Sequence, residues 1–323
     1  MTHAPADGPR PTADGRQTAV AIESLTKRYG ELMALDSVSL SISAGELFGF
    51  IGPDGAGKTT LFRLLATLLV PDGGSATVLG RDVVTGIWDL RRRIGYMPGR
   101  FALYPDLSVE ENLTFFATVF GTTVAREYDQ IAPIYSQLEP FRERRAAALS
   151  GGMKQKLALC CALVHRPDIL LLDEPTTGVD AVSRREFWDL LGRIKSDALT
   201  IVVSTPYMDE ANRCDRVALI QRGRILAVDT PAAVTASFDR PLFALTAPDR
   251  YALLRALREY PNAHSVFPFG ESLHFTDKRR DLSPTEIAAD VTRYLGGRIE
   301  RAEVRPAEPT IEDVFMARMG AAA

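Results

Sequence analysis

A short apolar segment followed by a glycine-rich loop and a helix constrains this chain more than any other feature. Phe48–Ile51 predicts a buried strand, Thr59–Leu69 predicts an apolar helix, and the connecting Gly52–Thr59 reads GPDGAGKT. This order matches G-x-x-x-x-G-K-[ST] in the strand–loop–helix context that the pattern requires. Glycines let backbone N–H groups surround an anion, and the N-terminus of the helix adds positive charge. The sequence therefore predicts that this loop binds the phosphates of a nucleotide.

Side chains of this loop have distinct expected roles. Lys58 is expected to reach the β- and γ-phosphates, while the hydroxyl of Thr59 binds Mg²⁺. The predicted nucleotide-binding residues of the loop are Gly52, Pro53, Asp54, Gly55, Ala56, Gly57, Lys58, Thr59 and Thr60.

Two adjacent carboxylates end another apolar segment. Ile169–Leu172 predicts a strand covered on both faces, and Asp173 and Glu174 follow it directly. Ligands of open α/β sheets lie at the carboxyl ends of the strands. We therefore expect Asp173 to hold Mg²⁺ through water and Glu174 to act as the general base that polarises the attacking water.

The order of predicted elements indicates the fold class. Strands alternate with helices over residues 19–230, which predicts a P-loop α/β core with a parallel sheet and a helical insertion at about 100–148. Residues 231–323 predict a small α+β domain with the βαββαβ order of a ferredoxin-like fold, whose last strand is placed at Arg298–Val304. Residues 1–18 lack large aliphatic side chains after Met1 and predict a disordered tail.

A second glycine pair opens another predicted helix. Ser150 is a suitable N-cap, and the two glycines after it leave backbone N–H groups bare at the positive helix end. In order and spacing relative to Asp173, this segment resembles the signature of ABC-transporter ATPase domains, and the resemblance covers about residues 20–230. The signature residues are Leu149, Ser150, Gly151, Gly152 and Met153.

The resemblance implies more than the motifs alone. It implies that two ATP molecules bind between two head-to-tail domains, each meeting the phosphate loop of one chain and the signature of the other. It also implies that Tyr29 stacks on adenine and that Asp180 lies at the dimer interface. Pro309–Phe315 resembles drug-resistance exporters of the ABC-2 type, whose ATPase is a separate chain at the cytoplasmic face of the membrane. The expected partners are a membrane permease and a second ATP-binding subunit, identical or different.

Two positions depart from the family pattern. The glutamine that contacts Mg²⁺ and water in that family falls at Gly99, and the histidine that hydrogen-bonds the γ-phosphate falls at Pro206. Asp54 stands where asparagine is usual. Because glycine has no side chain and proline has no N–H group, both γ-phosphate sensors are missing. We therefore expect a site that binds ATP but hydrolyses it slowly, while the signature completes the site of a partner ATPase.

Composition and charge exclude several classes. The chain of 323 residues has 38 Lys and Arg against 41 Asp and Glu, a balance that predicts no nucleic-acid partner. The longest apolar segment, Leu157–Val164, is far shorter than the roughly 20 residues of a membrane span. Three cysteines give no disulfide framework and favour a reducing, cytoplasmic compartment.

A nucleotide-sensing regulatory module without a transport role is the alternative hypothesis. The C-terminal domain is expected to serve regulation or dimerisation, or simply to pack.

Overall fold

The computed structural model describes residues 17–99 and 103–321, with only the backbone of 320 and 321. It divides into two compact units, Met1–Pro231 and Ala232–Ala323. Residues 1–16 of the predicted tail lie outside the described residues. The end of that tail was placed too late, because Thr18 already pairs with Ser43 in an antiparallel sheet.

Ten strands and six helices form the first unit as far as the structure describes it, and a seventh helix crosses the division between the units. In chain order they are β1 (Thr18–Tyr29), β2 (Leu32–Ser43), β3 (Leu47–Ile51), α1 (Lys58–Leu65), β4 (Gly73–Val78), β5 (Arg81–Asp82), α2 (Ile87–Arg93), β6 (Ile94–Met97), α3 (Val109–Val119), α4 (Tyr128–Tyr135), α5 (Gly151–Leu163), β7 (Ile169–Asp173), α6 (Ala181–Ile194), β8 (Thr200–Thr205), β9 (Arg216–Gln221), β10 (Arg224–Asp229) and α7 (Pro231–Ala236).

A six-stranded sheet forms the centre of the first unit, in the order β10-β9-β3-β8-β7-β6. β9, β3, β8, β7 and β6 pair in parallel, and β10 is antiparallel to β9. Every residue of β3, β7 and β8 is buried, as expected for parallel strands with helices on both faces. The predicted α/β core with a parallel sheet is confirmed.

A four-stranded antiparallel sheet, in the order β2-β1-β4-β5, was not predicted. Its buried side chains, among them Val20, Leu25 and Val38, share one apolar core with Phe50 of β3 and Phe62 of α1. The register of β1 against β2 shifts several times along the pair. Each shift interrupts the alternation of apolar and polar residues by which a half-buried strand is recognised in a sequence.

Helix α1 ends at Leu65, earlier than the predicted Leu69. Thr67 has a φ of +59°, and the N–H group of Leu68 donates to Arg63 O at 2.8 Å. This backbone bond closes the last turn of the helix with a left-handed residue, a common way for a helix to end. The apolar residues after Leu65 therefore belong to a turn.

The helical insertion contains two α-helices and short 3₁₀ segments. Helix α3 starts with a capping box, in which Ser108 Oγ accepts from Glu111 N at 3.1 Å and Glu111 Oε2 accepts from Ser108 N at 2.7 Å. Helix α4 is shorter than the predicted 126–138, and single 3₁₀ turns follow at Glu139–Phe141 and Ala146–Ala148.

As far as the structure describes it, the second unit contains, after α7, a sheet with two helices on one face and a third helix after the last strand. Its elements are β11 (Leu242–Thr246), α8 (Arg250–Glu259), β12 (Ala263–Phe269), β13 (Ser272–Asp277), α9 (Pro284–Leu295), β14 (Glu303–Ala307) and α10 (Ile311–Ala321). The order β12-β13-β11-β14 and the sequence of elements match the predicted βαββαβ arrangement. The last strand was predicted too early, because pairing of Leu242 with Ala307 and Thr246 with Glu303 places it at Glu303–Ala307.

Candidate functional site

The phosphate loop joins the end of β3 to the start of α1, and its shape depends on two glycines. A Cβ atom on Gly52 would lie 2.1 Å from Ile220 O, and one on Gly57 would lie 2.5 Å from Ala34 O. Gly57 also has a φ of +105°, which disfavours any other residue. Only glycine at both positions allows the loop to lie this close to β2 and β9, whereas Asp54 in the same loop is exposed.

Lys58 folds back into the loop. Its ammonium donates to Gly52 O at 2.7 Å and to Pro53 O at 2.9 Å, and it lies 3.0 Å from Glu174 Oε1. The side chain of Lys58 is only 2% exposed, and that of Glu174 is 20% exposed. A buried cation held by carbonyl oxygens and one carboxylate can exchange that carboxylate for a phosphate group.

Asp173 and Thr59 meet beside this lysine. Asp173 Oδ1 accepts from Ser204 Oγ at 2.7 Å and from Thr59 Oγ1 at 3.3 Å. Burial raises the pKa of Asp173, although the two hydroxyl donors partly offset this effect. Hydroxyl and carboxylate oxygens are the ligands that Mg²⁺ prefers, and it usually binds one or two carboxylates together with substrate phosphates. The two side chains therefore fit the predicted magnesium site.

Glu174 projects from a strained backbone position. Its φ is +51°, in the left-handed region that non-glycine residues rarely adopt. Its N–H group donates to Ser204 Oγ at 2.9 Å, which ties this position to the neighbouring strand β8. Strain of this kind persists where the surrounding structure enforces it, and it is frequent at functional sites. Here the strained residue is Glu174, whose carboxylate contacts Lys58.

Gly99 lies against these two carboxylate residues. A Cβ atom on Gly99 would stand 3.0 Å from Asp173 O and 3.7 Å from Glu174 Cβ. The structure thus places the position that lacks the glutamine directly beside the carboxylate pair. Because residue 99 is a glycine, it has no side chain to place beside these carboxylates.

Pro206 follows the end of β8 within a buried polar network. The residue before it, Thr205, accepts from Tyr207 N at 3.1 Å and donates to the carboxylate of Glu210. Glu210 is buried and also accepts from Thr176 Oγ1 at 2.9 Å, two residues after Glu174. Glu210 therefore joins the segment around Pro206 to the segment that follows Asp173 and Glu174.

The signature lies against the segment around Asp180. Ser150 Oγ caps α5 by accepting from Met153 N at 3.3 Å, and Asp180 caps α6 by accepting from Ser183 N at 3.0 Å. A Cβ atom on Gly152 would lie 2.7 Å from Ser183 Oγ, so the two helix starts pack closely. Hydrogen bonds from the first turn of α6 lower the pKa of Asp180. Among the described residues, no hydrogen bond or ion pair joins the signature to the phosphate loop of the same chain.

Tyr29 lies at the end of β1 and is 44% exposed. It pairs with Leu32, the first residue of β2, and the same strand presents Ala34 O to Gly57. The hairpin that carries Tyr29 therefore passes beside the phosphate loop. An exposed aromatic ring in this position is open to stacking with a base.

The sequence has clear relatives of known class. Residues 35–177 match a family model described as ABC transporter. Nod factor export ATP-binding protein I of Paraburkholderia xenovorans (strain LB400) is 37% identical over 310 residues, which cover 94% of this chain and 98% of that protein. The chain belongs to the ABC transporter family. The probable multidrug ABC transporter ATP-binding protein YbhF of Escherichia coli (strain K12) is 42% identical over 217 residues, although this chain spans only 38% of its length.

Solved structures of ABC ATPases share the fold. The cbiO1 protein from Clostridium perfringens, part of the ABC transporter complex cbiONQ, aligns with a TM-score of 0.61 and 27% identity over 68% of this chain and 91% of that one. The dimeric ATP-binding cassette MJ0796, in a post-hydrolysis state bound to ADP and Pi, aligns with a TM-score of 0.59 and 27% identity over 65% of this chain and 98% of that one. No helix in the described part of the chain has the length and hydropathy to cross a membrane.

Three residues that support the site of this ABC ATPase were not singled out from the sequence. They are Ser204, which bonds Asp173 and Glu174, Glu210, which bonds two threonines, and Gly223, whose N–H group donates to Ala56 O at 2.9 Å. The φ of +75° at Gly223, in the turn between β9 and β10, gives a local reason for glycine there. Nothing in the sequence near Ser204 or Glu210 indicates that Asp173 and Thr176, which lie 31 and 34 residues away, are their partners.

Proposed function

We propose that this chain is the ATP-binding subunit of an ABC-2-type exporter. It couples ATP binding and hydrolysis to efflux of a substrate through a separate membrane permease. The names of its relatives, a multidrug ABC transporter ATP-binding protein and a Nod factor export ATP-binding protein, support an export role. The chain would lie at the cytoplasmic face of the membrane, with the permease and a second ATP-binding subunit as partners.

The phosphate loop and the carboxylate pair supply the chemistry of ATP binding. The γ-phosphate would take the place of Glu174 beside Lys58, which frees that carboxylate to polarise a water molecule. Thr59 and Asp173 would hold Mg²⁺, which neutralises charge on the transferred phosphoryl group when it is bound. Tyr29 would stack on adenine.

The absence of polar side chains at positions 99 and 206 carries the proposal of a slow site. A Cβ atom on Gly99 would lie 3.0 Å from Asp173 O, so a side chain at this position would be in reach of the carboxylates. Loss of one preorganised donor to a developing charge costs about 10²–10³ in rate. We infer that this site binds ATP and turns it over slowly, while the signature residues Leu149–Met153 complete a hydrolytic site on the partner ATPase.

A groove beside Gly99 supports contact with a permease. It has a volume of about 540 Å³ and lies between β6, α3 and α5. Its wall is mostly apolar, and it extends to Tyr96, Pro98 and Gly99 at the end of β6. Lining residues from the two helices include Phe116, Val119, Ala158 and Cys161. An apolar helix of a membrane subunit docked here would touch the segment that ends beside Asp173 and Glu174.

ATP turnover by the purified chain tests the slow-site proposal. We expect stoichiometric ATP binding with little hydrolysis by the chain alone, and hydrolysis after addition of a partner ATPase whose own phosphate loop is intact. In that mixture, Ser150→Arg in this chain should abolish turnover, because it blocks the signature. Robust turnover by the pure homodimer, lost in Glu174→Gln, would show an ordinary symmetric ATPase instead.

The transport role has its own test, which does not depend on the rate at this site. Cross-linking from Tyr104, next to the groove residue Leu103, to a permease reconstituted in vesicles should give a specific product. The matched control is Tyr251, which is exposed on α8 of the second unit. Equal cross-linking from both positions, or none from either, would favour a regulatory module that does not contact a permease.

A further inference from the structure

A cavity in the second unit lies on the face of the sheet that α8 and α9 leave open. Its volume is about 380 Å³. Leu242, Ser265, Phe267, His274 and Thr276 line it from β11, β12 and β13. These residues share one face because Leu242 pairs with Thr276, Ser265 with Thr276, and Phe267 with His274. Helix α10 closes the other side through Asp313, Met316 and Ala317.

His274 and its partner Asp313 are the least exposed titratable side chains of this cavity. Its side chain is 7% exposed, and Nδ1 lies 2.6 Å from Asp313 Oδ1. Burial alone would raise the pKa of Asp313, but hydrogen bonds from His274 and Thr310 outweigh it and lower that pKa. An ionised carboxylate only accepts hydrogen bonds, so the Nδ1 atom of His274 carries a proton and donates to Asp313. Phe269 stacks on the imidazole at 4.0 Å and fixes the ring plane.

Both carboxylates of the cavity already have partners. Asp313 Oδ2 accepts from Thr310 N at 2.8 Å and from Thr310 Oγ1 at 2.7 Å, which completes the bonding of that side chain. Asp239, at the mouth, accepts from Arg280 at 2.8 Å. Both acidic groups of the cavity therefore already accept hydrogen bonds from the protein itself.

Among the described residues, Arg240 is the arginine of this cavity that has no carboxylate partner. Its NH1 donates to Asp277 O at 3.0 Å and to Lys278 O at 3.4 Å, and it forms no ion pair within the described part of the chain. Those bonds hold the guanidinium in place while its other N–H groups stay available. Arg240 and Arg280 also help to lower the pKa of the nearby His264, after the larger effect of its burial. The cavity thus combines an apolar wall with one guanidinium that has no carboxylate partner among the described residues.

We propose that this cavity binds a small organic carboxylate, with its carboxylate on Arg240 and its apolar part against Phe238, Phe267 and Met316. The guanidinium of Arg240 has no carboxylate partner within the described part of the chain, and its fork of N–H groups suits one. The volume falls in the range of small-molecule sites. Because the ligand would touch both β13 and α10, its binding would make the second unit a sensor, separate from the ATP site.

Isothermal titration of the full-length chain with benzoate and its neutral isostere benzamide tests this site. We expect one site per chain for benzoate and binding of benzamide that is at least about tenfold weaker, because the charge-assisted hydrogen bonds are lost. Arg240→Gln should weaken benzoate binding by at least about tenfold. Arg258→Gln, an exposed arginine on α8 away from the cavity, should leave it unchanged.

A second variant separates loss of the site from loss of folding. Circular dichroism of each variant shows whether the unit is folded. Met316→Trp fills the cavity without removing a charge and should block benzoate. The proposal is overturned if benzoate fails to bind, if benzamide binds equally well, or if the folded Arg240→Gln variant binds benzoate like the wild type.

Discussion

The ammonium of Lys58 lies 3.0 Å from the carboxylate of Glu174, so the lysine of the phosphate loop is paired with the proposed general base. Lys58 is almost fully buried here and Glu174 largely so. An ATP phosphate that enters the loop must displace this carboxylate. Glu174 therefore competes with a phosphate group for Lys58.

The first prediction concerns the effect of the Lys58–Glu174 pair on the affinity for ATP. Glu174→Gln removes the competing charge and should tighten ATP binding by roughly threefold to tenfold, in addition to blocking hydrolysis. Titration with a fluorescent ATP analogue in the absence of Mg²⁺ measures the change. Glu186→Gln is the control, since Glu186 pairs with Lys156 outside the loop. Equal affinities in Glu174→Gln and wild type would show that the pair opposes nucleotide entry too weakly to matter.

The second prediction concerns Gly99 and Pro206, which stand where the family pattern has glutamine and histidine. Gly99→Gln combined with Pro206→His should raise ATP hydrolysis by the isolated chain by at least about 100-fold, because both side chains would supply donors at the γ-phosphate. Steady-state phosphate release provides the measurement. An unchanged rate in a double variant that still binds ATP would place the cause of slow turnover elsewhere.

Gly99→Ala is the matched control for that experiment. Its Cβ meets Asp173 O at 3.0 Å, so it adds the same crowding without the amide group. We expect a loss of about 1 kcal/mol in the free energy of unfolding and no gain in rate. A rate gain in Gly99→Ala would mean that backbone position, and not the amide, limits hydrolysis.

The third prediction follows from the raised pKa of Asp173. Burial raises this pKa above its ordinary value of 3.8. The folded protein then binds the proton more tightly than the unfolded chain, so ionisation of Asp173 lowers stability as pH rises from 3.8 through the raised pKa. Asp173→Asn should therefore unfold at higher urea concentration than wild type at neutral pH, and this advantage should vanish in acid below 3.8. A constant difference at every pH would contradict this assignment.

The fourth prediction concerns Glu210. Glu210→Ala leaves the hydroxyls of Thr176 and Thr205 without their acceptor in a buried site, and we expect a loss of about 2–4 kcal/mol in the free energy of unfolding. Asp209→Ala, next to it but with an exposed side chain, should change stability by less than about 0.5 kcal/mol. Urea unfolding measures both variants. Similar losses in the two would argue against the buried network.

Motifs formed by consecutive residues were predictable. The loop Gly52–Thr59, the pair Asp173 and Glu174 and the start of α5 at Ser150 each depend on neighbours in the chain, whose backbone requirements are local. The order of strands and helices in the second unit was also predictable, because turns at Gly270 and at Gly296 and Gly297 separate its periodic segments. The position of β14 was not, since its register depends on pairing with β11.

The amino-acid sequence by itself determined the glycine-rich loop Gly52–Thr59, the two carboxylates that end a buried strand, and the lack of polar side chains at positions 99 and 206. Only the tertiary structure decided that Ser204 holds Asp173, that Glu210 joins Thr176 to Thr205, and that Lys58 rests on Glu174. The same is true of the cavity around His274 and Arg240 in the second unit. The reason is physical: these contacts join residues far apart in the chain, and only the order of strands in each sheet brings them within hydrogen-bond distance.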